Sequence, residues 1–262
     1  KENGYKGLPR VSYEKRKLKY EDVYPVLYLK YRLQSQQGRS NIKHLVVDEM
    51  QDYSRLQYEI IQRIFSCRMT ILGDRAQTMD DKQQDVLTFL PKIFGRDIHK
   101  IIMNKSYRNT VEIATYANRL AGIEDMELFE RHGAPVEEKV FADVKAAVKE
   151  IQDMLKLGEE EYETAAVILR TEKEAEQVWL LLKEELEKTD FDVKNRLSWL
   201  DRNSTSFRKG LTVTTFYLAK GLEFDQVFAV FPEKDQTPLA EQARYIAATR
   251  ALHELHMYEL EN

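Results

Sequence analysis

The sequence predicts an α/β fold with two parallel-sheet units, of which the first is incomplete. Short apolar runs such as Leu45–Val47 and Met69–Leu72 alternate with stretches of helical periodicity, which is typical of buried parallel strands joined by crossover helices. The alternation restarts after Arg108. A chain of 262 residues with 43% hydrophobic residues is long enough to form one large domain or two ordinary ones.

Each unit is defined by its own run of predicted elements. In residues 1–104, the predicted helices are 20–37, 56–65 and 86–94, and the predicted strands are 45–47, 69–72 and 98–103. In residues 105–262, the predicted helices are 111–121, 144–155, 174–186 and 241–252, and the predicted strands are 165–169, 211–215, 227–231 and 255–260. Strands that alternate with helices in this way favour right-handed βαβ connections.

Composition excludes several classes of protein. A net charge of −4 argues against a generally basic nucleic-acid coat, although a local basic groove remains open. The single Cys67 excludes an intramolecular disulfide and fits a cytoplasmic location. No apolar run is long enough to span a membrane. Because the sequence begins at Lys1 rather than Met, we expect it to be an excised fragment or a processed product of a longer chain, whose N-terminal part is missing.

Two carboxylates directly follow the first apolar run. Asp48 and Glu49 lie where a buried strand ends, the edge at which open α/β sheets bind ligands. Phosphoryl transfer requires Mg²⁺ held by a carboxylate and a second group that orients the attacking water. Asp48 suits the metal role and Glu49 the role of base. A solvated acidic turn explains the same residues equally well.

Further polar residues follow at intervals. Gln77, after the second strand, suits a γ-phosphate or its attacking water, and Arg108 and Arg250 suit the charge that develops on phosphoryl oxygens. Tyr107 offers a ring for base stacking. A plain turn at Gln77 and solvated arginines are the alternatives. No glycine loop of the form G-x-x-x-x-G-K-[ST], which would cradle the phosphates, occurs in the sequence.

The segment around Lys220-Gly221-Leu222-Glu223-Phe224 suits both nucleotide and nucleic acid. Gly221 allows a close backbone approach and Glu223 could meet a ribose hydroxyl. The groups that precede this segment could contact single-stranded nucleic acid: the hydroxyls of Thr214 and Thr215 and the ring of Tyr217. A simple turn at Gly221 and aromatic residues in the core are the alternatives.

Taken together, these segments resemble the motifs of UvrD/Rep-type superfamily I helicases. The segments that resemble motifs II to VI are Asp48–Asp52, Gly73–Gln77, Ser106–Arg108, Leu218–Phe224 and Tyr245–Ala251. The resemblance implies two RecA-like domains with ATP between them, Mg²⁺ and movement on single-stranded DNA. It also implies that Asp48 handles Mg²⁺, that Glu49 activates water, and that Tyr107 stacks adenine. By the same resemblance, Glu223 meets the ribose, and the γ-phosphate is addressed by Gln77, Arg108 and Arg250.

Departures from the family pattern give a narrower expectation. Tyr217 stands where the family often has His, and about 100 residues between motifs IV and V leave no room for a large insertion. The stretch Leu18–Pro25 resembles HelD-type helicases, which are associated with bacterial RNA polymerase. The leading hypothesis is that this sequence is the C-terminal part of an ATP-dependent DNA helicase, and that this part alone is inactive. The alternatives are an ATP-switched factor that remodels RNA polymerase and a degenerate domain without nucleotide.

Overall fold

The computed structural model describes residues 18–33, 41–74, 77, 85–95, 97–157, 162–204, 208–233 and 237–261. These residues divide into two compact units. Unit 1 is drawn from Lys1–Arg75 and Lys82–Lys100, and unit 2 from Ala76–Asp81 and Ile101–Asn262. Among the described helices, none combines the length and apolar character needed to cross a membrane.

Unit 1 is a small parallel sheet with helices. Strands β1 (His44–Val47) and β2 (Arg68–Ile71) pair in parallel, with Val47 opposite Ile71. Its helices are α1 (Tyr20–Leu33), α2 (Arg55–Ile64) and α3 (Val86–Phe94), with a 3₁₀ helix at Met50–Asp52. Ser54 caps α2 through a reciprocal capping box with Gln57. The predicted end of α1, residues 34–37, lies outside the described residues.

The strand predicted at 98–103 is wrong, because residues 97–104 form no strand. Ile101, Ile102 and Met103 are 72–83% exposed. A strand needs a neighbour for its backbone groups, and in the described part of unit 1 only β1 and β2 pair. The next strand is instead the short β3 (Lys105–Ser106), which pairs with β4 (Glu127–Leu128) in unit 2.

Unit 2 is a six-stranded parallel sheet covered by helices on both faces. Its strand order is β5-β10-β9-β6-β8-β7. The strands are β5 (Glu137–Phe141), β6 (Thr164–Leu169), β7 (Leu197–Trp199), β8 (Gly210–Thr215), β9 (Phe224–Pro232) and β10 (Ala251–Leu260). The helices are α4 (Val111–Ala121), α5 (Val144–Met154), α6 (Glu172–Leu186), α7 (Val193–Arg196), α8 (Phe216–Ala219) and α9 (Pro238–Ala248).

Alternation along the central strands assigns the two faces of the sheet. In β6, Ala166 and Ile168 pack with α4, α8 and α9, whereas Ala165, Val167 and Leu169 pack with α5 and α6. Both faces are therefore buried, which explains the nearly continuous apolar runs. The predicted α/β class, with two RecA-like parallel units, is confirmed.

The last helix ends earlier than the predicted residue 252. Helix α9 begins at Pro238 after the cap Thr237 and ends at Ala248. The amide of Phe224 donates to the Arg250 carbonyl at 2.9 Å, and Ala251 pairs with Phe224. Strand pairing thus begins at Ala251 and leaves Arg250 in the turn between α9 and β10.

Candidate functional site

In unit 1, the candidate carboxylates lie immediately after β1. The Glu49 amide donates to Asp48 Oδ1 at 2.8 Å. Glu49 has φ 52° and ψ 50°, the left-handed region that a residue with a Cβ rarely adopts, at a cost of about 1–2 kcal/mol. Glu49 is also the only described residue other than glycine with a positive φ. Such strain persists only where the surroundings hold it, and it is common at functional sites.

A buried glutamine that sequence reasoning did not assign holds this turn. Gln51 is 2% exposed, and its Nε2 donates to Glu49 Oε2 at 2.6 Å. Its Oε1 accepts from the amide of Asp74 at 3.1 Å. Gln51 therefore links the predicted motif II to the residues that follow β2. Its place beside the two carboxylates in the sequence was the available signal.

In unit 2, Gln77 and Arg250 are brought together. Arg250 is 2% exposed and Gln77 is 9% exposed, and Arg250 Nη2 donates to Gln77 Oε1 at 3.3 Å. The same guanidinium donates to the carbonyls of Ile246 at 3.2 Å and Leu222 at 3.3 Å, and to Thr249 Oγ1 at 3.0 Å. These bonds compensate the cost of burying a charged group. Residues 75 and 76, which belong to the predicted motif III segment Gly73–Gln77, lie outside the described residues.

Arg108, the other arginine predicted to face the γ-phosphate, forms an ion pair with Glu223, the residue predicted to meet the ribose. Arg108 Nε lies 2.7 Å from Glu223 Oε1, and both side chains are about half exposed. Tyr107 is 61% exposed and packs against Phe129 with ring centroids 5.7 Å apart. Its ring is thus accessible to a ligand. Gly221 has φ 81°, a conformation that favours glycine, and no atom lies within 4 Å of where its Cβ would be.

Two side chains that sequence reasoning left without a role connect these segments. Asn109 Nδ2 donates to the carbonyls on either side of Arg250, at 3.4 Å to Thr249 and 2.6 Å to Ala251. Arg131 Nη2 donates to the carbonyls of Arg108 and Leu252, the latter at 3.0 Å. The backbone of motif IV is therefore fixed to that of motif VI. Only the position of Asn109, next to Arg108, was a signal in the sequence.

The residues predicted to meet nucleic acid lie at the opposite edge of the same sheet. Thr214 and Thr215 end β8 and are buried, and Thr214 Oγ1 donates to the Leu200 carbonyl at 3.1 Å. Tyr217 is 38% exposed. Burial raises its pKa, the nearby Glu174 and Glu172 add to that rise, and Arg170 and Arg202 oppose it. Of the three predicted contacts, Tyr217 alone presents an exposed side chain, and it lies near both cations and carboxylates.

One short segment joins the two edges. Residues 216–223 leave the carboxyl end of β8 and return to the amino end of β9. They therefore run alongside the strands, from one end of the parallel strands to the other. Phe216 is fully buried in the core beneath α9. Tyr217 and Glu223 therefore lie on one stretch of backbone, which the buried side chain of Phe216 anchors at its start.

These two parallel-sheet units define a RecA-like α/β protein. The family described as "UvrD/REP helicase N-terminal domain" matches residues 9–79, and the "UvrD-like helicase C-terminal domain" matches residues 210–258. The resemblance to UvrD/Rep-type helicases is thereby confirmed: one region of the chain is similar to the N-terminal domain of this family and another to its C-terminal domain. The narrower resemblance to HelD-type helicases stays a prediction.

Solved helicases are similar to the chain in structure. The C-terminal domain of a possible DNA helicase from Lactobacillus plantarum WCFS1 is 25% identical, with a TM-score of 0.46, and the match covers 59% of this chain and 88% of that one. The helicase of PRRSV is 16% identical, with a TM-score of 0.47 and coverage of 85% and 36%. Arterivirus nonstructural protein 10, a helicase, is 15% identical, with a TM-score of 0.45 and coverage of 86% and 40%. No curated protein matches the chain.

Proposed function

We propose that this sequence is part of an ATP-dependent motor that moves on single-stranded DNA. The observation that carries the proposal is the meeting of four separate segments in unit 2, where Arg108 binds Glu223 and Arg250 binds Gln77. Phosphoryl transfer depends chiefly on positioned charge of this kind. The UvrD-like matches on both parts of the chain support the same activity.

ATP is the proposed substrate, and Mg²⁺ the proposed metal. Asp48 would hold Mg²⁺, which would neutralise charge on the phosphates when bound. Among the described residues, no three His, Cys, Asp or Glu side chains are grouped to hold a metal. One carboxylate still suits Mg²⁺, because this ion is usually held by one or two carboxylates together with substrate phosphates and water. Glu49 would orient and deprotonate the attacking water.

The remaining candidates divide between nucleotide and nucleic acid. Gln77, Arg108 and Arg250 would face the γ-phosphate. Tyr107 would stack on the adenine, and Glu223 would accept a hydrogen bond from the ribose next to Gly221. At the opposite edge, bases of single-stranded DNA would stack on Tyr217, with its backbone near Arg170, as aromatic and cationic side chains commonly bind single strands.

This chain by itself would not hydrolyse ATP. The lysine and hydroxyl of a phosphate-binding loop hold the β- and γ-phosphates and the metal in such motors, and the sequence contains no such loop. A longer chain that includes this sequence and that loop would be the active protein. Its location in the cytoplasm is an inference from the single Cys67.

The test is the ATPase rate of that longer chain, with and without single-stranded DNA, beside its Glu49→Gln variant. Strong stimulation by DNA, abolished by the substitution, is the expected result. ATPase that is lost in the variant but indifferent to DNA would contradict movement on DNA and favour a switch that acts on RNA polymerase. No ATPase at all would overturn the proposal as a whole.

A further inference from the structure

We infer that Gln51 is a positioning residue, which holds the Glu49 carboxylate and couples it to the backbone after β2; this inference rests on the proposed role of Glu49. The amide of Gln51 is bonded at both ends. Nε2 donates to Glu49 Oε2 at 2.6 Å, and Oε1 accepts from the Asp74 amide at 3.1 Å. One buried side chain thus connects the candidate base to the segment that leads to Gln77.

The surroundings of Gln51 fix its position from two sides. The amide of Met50 donates to the Leu72 carbonyl at 2.8 Å, and the fully buried Tyr58 donates from its hydroxyl to the Met50 carbonyl at 2.9 Å. A Cβ on Gly73 would lie 2.5 Å from Gln51 Oε1 and 2.7 Å from the Met50 nitrogen. Position 73 therefore has room only for glycine while Met50 and Gln51 keep their present places.

Glu49 needs such a holder for a physical reason. A glutamate side chain has three rotatable bonds, and this one starts from a left-handed backbone at the end of a strand. A catalytic group must be held to within about 0.5 Å, by neighbours whose own conformation is locked by packing and hydrogen bonds. Gln51 is itself locked, and its donor reaches the carboxylate directly. A movement of the Asp74 backbone would also be transmitted to Glu49 through the same amide.

The test separates this role from simple packing. Gln51→Met keeps the volume of the side chain and removes both hydrogen bonds, whereas Gln51→Glu keeps the acceptor for Asp74 and removes the donor to Glu49. The controls are Gln62→Met and Gln62→Glu on the exposed side of α2. In the longer, loop-containing chain, each variant is measured for kcat, KM for ATP, affinity for the non-hydrolysable analogue AMP-PNP, and melting temperature.

We expect both Gln51 variants to lower kcat about tenfold or more, with KM and AMP-PNP affinity within about twofold of wild type, and both Gln62 variants to be unchanged. A kcat within twofold of wild type in both Gln51 variants would overturn the inference. So would equal losses of kcat and AMP-PNP affinity, which indicate a general disturbance. If Gln51→Met does not fold, Gln51→Glu decides by the same criteria. If the wild-type longer chain has no ATPase, the proposed function and this inference both fail. If the wild-type chain is active and Glu49→Gln abolishes its ATPase, the Gln51 variants test this inference separately from the proposed function.

Discussion

Arg108 and Glu223 form an ion pair, with 2.7 Å between Nε and Oε1, and so join the predicted motif IV to the predicted motif V. Both side chains are proposed to bind ATP, yet in this structure they bind each other. The side chains are 49% and 42% exposed, and exposed ion pairs of this kind stabilise a protein by only about 0–1 kcal/mol. A nucleotide can therefore separate the pair at little cost, and each group then gains a ligand atom.

Arg108→Gln should reduce hydrolysis without destabilising the fold. An arginine that neutralises charge in the transition state contributes about 10³–10⁵ to kcat in related chemistry, so we expect kcat in the longer chain to fall at least about 100-fold. The free energy of unfolding of the present chain should change by less than about 1 kcal/mol. Arg119→Gln is the matched control, because Arg119 forms a similar exposed pair with Glu138. Equal kcat in the two variants would show that Arg108 has no special role.

Glu223→Gln should impair recognition of the ribose rather than chemistry. A contact that is made equally in the ground state and the transition state raises KM when it is removed and leaves kcat nearly unchanged. We expect wild type to favour ATP over its deoxyribose analogues, and the variant to lose most of that preference. Glu187→Gln, on an exposed position after α6, is the control. A variant with normal KM and a large loss of kcat would instead place Glu223 at the γ-phosphate.

Local patterns were sufficient to predict most of the fold. Helix α3 matches its predicted bounds, Val86–Phe94, and α4 matches Val111–Ala121, because both have apolar faces and clear caps. Strands β6 and β8 were found as apolar runs because both faces of the sheet are covered. The segment 98–103 has the same apolar character and is no strand. What differs there is the presence of a pairing partner, which local sequence does not encode.

Sequence motifs identified the candidate side chains but not the groups that hold them. Arg250 could be selected from its motif, whereas its burial depends on carbonyls of Leu222 and Ile246 that only the fold brings near. Thr214 looked suited to nucleic acid, yet a strand between two covered faces buries its hydroxyl. Arg131 donates to the carbonyl of Leu252, which is 121 residues further along the chain. Long-range relationships of this kind leave no periodic signal in a single sequence.

Asn109→Asp should destabilise unit 2 by about 2–4 kcal/mol. The substitution keeps the shape of the side chain but replaces the amide donor by an oxygen that faces the carbonyls of Thr249 and Ala251, and Asn109 is 8% exposed. Unsatisfied buried carbonyls and a buried charge both carry a penalty of this size. Denaturant unfolding of the present chain measures it. The exposed Asn104 provides the control, Asn104→Asp, and an equal effect at both positions would contradict the bridging role of Asn109.

The stability of the chain should fall below about pH 4.5, and Glu254 should account for part of that fall. Glu254 is 3% exposed, and it accepts from Lys156 Nζ at 2.6 Å and contacts His256 Nε2 at 2.9 Å. Burial raises the pKa of Glu254, but the bonds from His256 and Lys156 outweigh burial and lower that pKa from 4.5 to about 2. Because the folded chain holds the charged form more strongly than the unfolded chain does, the stabilisation is complete above about pH 4.5. It is lost as the pH falls towards 2, and amounts to about 3 kcal/mol.

Glu254→Gln tests this origin of the acid sensitivity. The variant has no carboxyl group at position 254, so its free energy of unfolding should be lower than that of wild type at pH 6 and should change less between pH 6 and pH 3. The dependence should be reduced rather than abolished, because the pKa of Glu112, where bonds from His132 and the Gly133 amide outweigh burial, is also lowered to about 2. Glu163→Gln, at a side chain that is 67% exposed, should leave the pH dependence nearly intact. If Glu254→Gln retained the full wild-type slope, the buried contacts of Glu254 would not be the source of acid sensitivity, and the loss of stability would have to arise at other carboxylates.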